Sequence, residues 1–284
     1  MSMCVAVAGA GGTVGRRLTA LLAADHDVLS LTRSPERAAR LGVHGRLVRA
    51  DFDVRDGLAQ AMEGADALFV ATFDPANPRH DEHLLSAATV AGIRHVVKLS
   101  ALAVTDPGAQ DLVTRWQRRC EELWQGSGMT WTLLRARAFM SNSLSWAGAV
   151  RAGEPVATLY GDAPNACVDP ADVAEVATHA LTGTGHAGRM YALTGPRAVS
   201  AREQLAQLAG LLQRPLKLED LTAQQALERW STRYPLPVAQ ALLESACRQA
   251  AGAKASVTQD VLQVTGRPPT TFEAWARRHL TVFR

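Results

Sequence analysis

Three glycines near the amino terminus, Gly9, Gly12 and Gly15, are spaced three residues apart directly after an apolar run. Between a strand and a helix, this spacing allows a tight turn and a close approach of the backbone to a pyrophosphate. Free N–H groups at the start of the helix then face the anion. We expect a dinucleotide-binding loop with contacts from Gly9, Gly11, Gly12, Thr13 and Val14, the alternative being a glycine-rich turn without a ligand.

The identity of the dinucleotide is indicated by the residue that follows the second strand. NAD-binding chains place an acid there for the ribose hydroxyls, whereas NADP-binding chains place an arginine for the 2′-phosphate. This chain has Arg33 at that position. NADP(H) is therefore the predicted cofactor. The alternative is a solvated arginine that pairs with Glu36.

Two further segments follow strands and should border the same ligand. Asp51 can accept from the adenine amino group and Phe52 can pack on the ring, although a helix cap and a core aromatic would look the same. Ala71 and Thr72 would lie along the pyrophosphate and the nicotinamide ribose by position alone, with Phe73 at the substrate pocket.

The elements that must position these residues alternate between β-rich runs and amphipathic helices. This alternation is typical of an α/β fold with a doubly wound parallel sheet. We predict a Rossmann domain over residues 1–140, with 169–195 returning to it, and a smaller, mainly helical carboxyl-terminal lobe over 141–168 and 196–284. The predicted strands are Cys4–Ala8, Asp27–Thr32, Arg46–Ala50, Ala65–Thr72, His95–Ser100 and Trp131–Arg135, with a late strand at Arg189–Thr194.

Helix starts are marked by capping signals outside the glycine loop. Ser34 and Asp169 each precede a proline at a first helical position. Ser200 with Glu203, and Thr270 with Glu273, have the spacing of capping boxes.

Composition excludes several classes of protein. The chain has 284 residues, 47% hydrophobic content and apolar runs too short for a membrane span, so we expect a cytoplasmic protein without membrane contact. The net charge is +3 without a basic run, which argues against direct nucleic-acid binding. The four cysteines lack paired spacing, and His80 and His83 have no third ligand, so no metal site is predicted.

Several segments together resemble the NmrA-like branch of the atypical short-chain dehydrogenase/reductase superfamily. They span nearly the whole chain and read VAGAGGTVGR, LTRSPERA, HVVKLSAL, SGMTWTLLRARAFMSN, VDPADVAEVATHALTGTGHAGRMYALTGP and TGRPPTTFEAWARRHL. The resemblance implies an NADP(H)-binding Rossmann domain with a small lobe over the nicotinamide. It also implies one of two functions: a reductase of quinones, dyes or aromatic intermediates, or a dinucleotide sensor with a regulatory protein partner.

The proton-transfer pair of ordinary short-chain dehydrogenases is missing. Those enzymes use a Tyr and a Lys four residues later, and no tyrosine here has that partner. Matching the family through Glu121 and Gly128 places Val113 and Gln117 at the two positions. Reduction of a simple carbonyl through such a pair is disfavoured, whereas a conjugated acceptor can take its proton from water.

The remaining site candidates lie at the ends of the fifth and sixth strands. Lys98 and Ser100 are weak catalytic candidates, for ribose contact or proton relay, unless Lys98 extends to solvent. Phe139 and Asn142 are candidates for the substrate pocket, where Ala136 stands in place of the family's usual proline. We therefore expect an oxidoreductase that transfers hydride from NADPH to a small conjugated or aromatic substrate. The alternatives are a non-catalytic sensor and a non-redox isomerase or cyclase.

Overall fold

A seven-stranded parallel sheet forms the centre of the protein. The computed structural model describes residues 2–75 and 79–284. The strand order is β3-β2-β1-β4-β5-β6-β8, so the order reverses between β1 and β4, as in a doubly wound Rossmann sheet. The strands are β1 (Cys4–Ala8), β2 (Asp27–Thr32), β3 (Arg46–Arg49), β4 (Ala67–Val70), β5 (His95–Ala101), β6 (Thr130–Ala136) and β8 (Arg189–Leu193).

Helices cover both faces of this sheet. They are α1 (Thr13–Leu22), α2 (Pro35–Arg40), α3 (Leu58–Ala61), α4 (Arg79–Val90), α5 (Leu112–Gln125) and α7 (Pro170–Thr182). Apolar residues of α1 and α7 form one core with one face of the sheet, and those of α3, α4 and α5 form a second core on the other face. The inner strands are buried from both sides, which explains their continuous apolar runs, whereas the edge strands β3 and β8 are partly exposed.

A third apolar core lies in the carboxyl-terminal lobe, around Val150, Leu208, Trp275 and Phe283. The lobe contains the short parallel pair β7 (Val156–Leu159) and β9 (Leu218–Leu221). The helices in this part of the chain are α6 (Ala147–Ala152), α8 (Ala201–Leu212), α9 (Ala223–Ser231), α10 (Leu236–Ala250) and α12 (Phe272–Arg278), with α11 (Asp260–Thr265) between the last two in sequence.

The predicted fold class is confirmed, and the differences are local. The late strand β8 joins the sheet beside β6, whereas β7 and β9 lack an apolar alternation that would have marked them. The helix α11, predicted in the lobe, packs on α7 and β8 through Val261. No helix in the described ranges is long and apolar enough to cross a membrane.

The helix caps predicted from the sequence are present in the structure, with one exception. Ser34, Asp169 and Ser200 each accept a backbone N–H at a helix start, and Ser200 forms a complete capping box with Glu203. The box predicted at Thr270 is wrong, because Thr271 caps α12 instead. The Thr270 hydroxyl and amide donate to the buried Asp172, an acceptor that local spacing does not reveal.

Candidate functional site

The glycine loop packs directly against the end of β4. Gly9 has φ +93°, and a Cβ there would lie 2.4 Å from the carbonyl oxygen of Ala71. A Cβ on Gly15 would lie 2.1 Å from the carbonyl oxygen of Gly9. Neither position can hold a side chain without moving backbone, so these glycines fix the turn between β1 and α1.

The amino terminus of α1 is left free for an anion. Its cap residue, Gly12, has no side chain to bind the first N–H groups, and no acidic residue lies in the first turn. Gly11 borders open space, since a Cβ there would meet nothing within 4 Å. Thr13 is exposed at the helix start, whereas the Val14 side chain is in the core and only its backbone faces the turn. The loop therefore has the form that a pyrophosphate requires.

A cavity of about 350 Å³ opens in front of this loop. Its lining includes the predicted residues Gly9, Gly11, Gly12, Arg33, Asp51 and Phe52, together with Ala71, Thr72 and Phe73. The cavity thus brings together the ends of β1, β2, β3 and β4, as expected for a ligand at the carboxyl edge of an open sheet.

Two arginines face the cavity from the β2 side. Arg33 and Arg37 both line it, and neither forms an ion pair with any residue in the described part of the chain. Glu36, the alternative partner of Arg33, bonds to Ser34 and lies 4.0 Å from Arg49. Arg37 was not predicted, although it lies only four residues after Arg33, on α2.

Around the predicted adenine site, polar contacts hold the loop after β3. The Asp51 carboxylate accepts the amide N–H of Asp53, and the Phe52 ring meets the His80 ring edge-on at 6.0 Å. His80 lies 2.9 Å from the Asp53 carboxylate, which lowers the pKa of Asp53 by hydrogen bonding. His83 bonds the carbonyl oxygen of Phe52, so the two histidines support this loop separately. Asp53, Asp74 and His80 place their polar atoms within 4.8 Å of one another.

Lys98, in the middle of β5, is fully buried in a polar network, which excludes the alternative that it extends to solvent. Its Nζ lies 2.8 Å from Asp81 and donates to Thr72 at 2.9 Å. Thr72 and the Trp124 indole donate to the same carboxylate at 2.5 and 2.8 Å. Burial opposes the charge on Asp81, but Lys98 and these hydrogen bonds outweigh it and lower the pKa of Asp81. Lys98 therefore acts on the cavity wall indirectly, through Thr72 and through the Trp116 ring, whose centroid lies 5.5 Å from its Nζ.

Ser100 belongs to a second buried network. Its hydroxyl donates to Glu121 on α5 at 2.6 Å, and Glu121 also accepts two hydrogen bonds from Arg135. Neither Ser100 nor Lys98 is among the described residues that line the cavity. These networks bind α4 and α5 to the strand ends that border the site.

The face of α5 that would carry a catalytic pair holds no proton donor. Glu121 places this face against β5 and β6, and Gln117 and Val113 follow it one and two turns toward the helix start. Gln117 is buried with its Oε1 unpaired, and the neighbouring Trp116 has an unpaired indole N–H, counting partners in the described ranges. The Trp116 ring meets Phe73 edge-on at 5.8 Å, and Phe73 adds aromatic surface to the cavity lining.

The two predicted substrate-pocket residues after β6 lie at the start of the lobe. Phe139 is half-buried and pairs through its backbone with Val168, and Asn142 is exposed with its amide bonded to the Phe139 carbonyl. Neither contributes to the cavity in front of the glycine loop. The structure thus separates them from the nucleotide half of the site.

Comparison with known proteins defines the class. A family model described as NAD(P)H-binding matches residues 9–184, and the chain belongs to this family. This match confirms the predicted NAD(P)-binding Rossmann resemblance and a cofactor of the NAD(P)H type. An NADPH-dependent quinone oxidoreductase of Escherichia coli, solved with NADPH, has the same fold, with a TM-score of 0.82 at 22% identity over 98% of this chain and 99% of that one.

Two relatives are similar in sequence over their whole lengths. One, from Streptomyces griseus, is a (4-alkanoyl-5-oxo-2,5-dihydrofuran-3-yl)methyl phosphate reductase, 49% identical over 98% of this chain and 99% of its own. The other is an NAD(P)H azoreductase from Xenophilus azovorans, 31% identical over 98% and 99% of the two chains.

The buried pair of Lys98 and Asp81 leads to a stability prediction. Replacement Lys98→Met leaves the Asp81 charge buried without its cationic partner, and should lower the free energy of unfolding at neutral pH by about 3–5 kcal/mol. Because the variant can relieve this cost by protonating Asp81, its deficit relative to the wild type should shrink as the pH falls. Urea unfolding of the two proteins between neutral and acidic pH measures both effects.

The matched control removes both charges. Lys98→Met combined with Asp81→Asn should be more stable than Lys98→Met alone at neutral pH, since an amide keeps an acceptor for Trp124. A single variant as stable as the wild type would show that the ion pair does not form.

Proposed function

We propose that this protein is an NADPH-dependent reductase of a conjugated carbon–carbon double bond, and that its substrate is a (4-alkanoyl-5-oxo-2,5-dihydrofuran-3-yl)methyl phosphate. The observation that carries the proposal is an intact dinucleotide cradle beside a helix face without a proton donor. The relative of that name, similar over the full length of both chains, supports the substrate class.

The chemistry of this substrate explains why the catalytic pair is dispensable. Ring carbons 3 and 4 share a double bond that is conjugated with the lactone carbonyl and with the alkanoyl carbonyl. NADPH, when bound, supplies the hydride. Addition at carbon 3 leaves the negative charge on carbon 4, where two carbonyl groups delocalise it. Such an anion is weakly basic and takes its proton from water, so no side chain needs to donate one.

The residues of the chain then act by binding and orientation. The free N–H groups at the start of α1 hold the pyrophosphate, and Arg33 and Arg37 hold the 2′-phosphate. Lys98 and Asp81 act as positioning residues, because both fix the Thr72 hydroxyl at the cavity wall. Phe73 with Trp116, and across the lobe Phe139 and Asn142, border the substrate. Holding two reactants in place in this way is a major source of rate acceleration.

The arginines on the β2 side should determine the preference for NADPH. Arg33→Ala and Arg37→Ala each remove a charged donor from the 2′-phosphate, and should weaken NADPH binding by roughly 10- to 100-fold while NADH binding changes little. Arg40→Ala, on the same helix but outside the cavity lining, is the control. Fluorescence titration with both cofactors measures the preference, and equal losses for NADPH and NADH would contradict the assignment.

Turnover should depend on the conjugation of the acceptor. The protein should oxidise NADPH with the alkanoyl furanone phosphate and not with the same compound after saturation of its ring double bond, because only the former delocalises the charge at carbon 4. NADPH absorbance follows the reaction. A chain that binds NADPH but remains inactive with this substrate, and with a panel of quinones and dyes, would instead be a sensor.

A further inference from the structure

An arginine at the end of β6 has no partner for its charge. Arg137 is the first residue after the strand, and its amide N–H donates to the carbonyl oxygen of Leu193 at 2.9 Å. Its side-chain Nε is buried without a hydrogen bond, and within residues 2–75 and 79–284 no carboxylate forms an ion pair with it. In contrast, Arg135, two residues earlier, is neutralised by Glu121.

A lysine near the carboxyl terminus, Lys254, is linked to this arginine's segment through residues 166–168, because the carbonyl of Ala138, next to Arg137, accepts the amide of Val168. The backbone carbonyl of Lys254 accepts the amide of Ala166, and its Nζ donates to the hydroxyl of Ser245 at 2.7 Å. Burial, together with the nearby Arg137 charge, lowers the pKa of Lys254 to about 8. No ion pair to Lys254 occurs among the described residues. The positive charges of Arg137 and Lys254 therefore repel each other in a partly buried region. This repulsion is unfavourable unless an anion binds there.

The carboxylates of this region are already engaged. Asp106 forms an ion pair with Arg248, and Asp111 accepts from the amide and hydroxyl of Thr114 at the start of α5. Arg118 adds a further positive charge, bonded to backbone carbonyls of residues 104, 106 and 109. Within the described residues neither carboxylate forms an ion pair with Arg137 or Lys254, so these two positive charges remain for an anion, and a phosphate monoester carries about two negative charges at neutral pH.

The position of Arg137 at the carboxyl edge of the sheet is compatible with binding of a substrate phosphate. Thr72 follows β4 and Arg137 follows β6, with β5 between them, so the two strand ends are about 10 Å apart. In the proposed substrate, one methylene and one oxygen separate phosphorus from the ring carbon that accepts hydride. The phosphate must therefore bind close to the reacting end of the cofactor, on the lobe side of the sheet edge.

We propose that Arg137 and Lys254 bind the phosphate group of the substrate. The inference rests on the proposed function for the identity of the phosphate ester. The planar guanidinium offers paired N–H donors to two phosphate oxygens, and the lysine ammonium supplies a point charge from the opposite side. The site would lie between the Rossmann domain and the lobe. Binding of the phosphate there would select phosphorylated substrates and would also position carbon 3 for hydride transfer. The phosphate ester bond itself stays intact.

The test uses Arg137→Gln and Lys254→Met, with the exposed Lys217→Met as control. For the phosphorylated furanone, each of the first two variants should raise KM by about 30-fold or more, since a charged partner is lost. For the corresponding hydroxymethyl furanone, KM should be the same in all four proteins. An unchanged ratio of the two KM values would overturn the inference.

A binding readout separates this inference from the proposed function. Methyl phosphate is titrated calorimetrically into protein saturated with NADP⁺, which occupies the cavity at Arg33 and Arg37. Wild type and Lys217→Met should bind it, and the two site variants should not. Binding without furanone reduction would leave the phosphate site standing and refute the proposed reaction, whereas equal binding by all variants would refute the site.

Stability provides the control for a merely structural role. Because Arg137 and Lys254 repel each other in the free protein, Lys254→Met should leave the unfolding temperature unchanged or raise it. A clear decrease would show that the lysine supports the fold instead of the ligand.

Discussion

The close approach of two pieces of backbone, the Gly9 turn and the carbonyl of Ala71, is the constraint on which the site depends. No side chain fits between them, so the turn after β1 is pressed against the end of β4. This contact aims the start of α1 at the gap where the strand order reverses. Thr72, the next residue, is in turn fixed by Lys98 and Asp81. The cradle and the wall of the cavity are therefore one rigid unit.

The sequence predicts the strands and helix starts of this unit, but not the contacts between its distant residues. Continuous apolar runs and capping residues are local signals, and they located the seven strands of the main sheet and the starts of α2, α7 and α8. The partner of Lys98 could not be found in this way, because Lys98 lies on β5 and Asp81 on α4, and the burial of Asp81 follows from packing against Trp124. The same holds for Thr270, which binds Asp172 across the domain instead of capping α12. Contacts between elements that are distant in the chain leave no periodic pattern in the sequence around either residue.

The presence or absence of a carboxylate partner distinguishes two groups of cationic side chains, one structural and one that we propose to be functional. Lys98 and Arg135 are buried with carboxylates and hydrogen bonds that compensate their charge, and they hold helices to strand ends. Arg33, Arg37, Arg137 and Lys254 form no ion pair in the described chain, and in our proposals they bind phosphate groups. Arg33 and Arg37 follow β2, and Arg137 follows β6, so these cations lie on opposite sides of the expected hydride-transfer site. A cofactor phosphate and a substrate phosphate would thus anchor the reactants from both sides.

The central claim is that hydride reaches ring carbon 3 while the proton at carbon 4 comes from water. The most direct measurement uses NADPH deuterated at the transferred position of the nicotinamide, with the alkanoyl furanone phosphate in ordinary water and NMR of the reduced product. The account predicts deuterium at carbon 3 and none at carbon 4. Deuterium on the alkanoyl carbonyl carbon would show carbonyl reduction, and would contradict an enzyme that works without a catalytic proton donor.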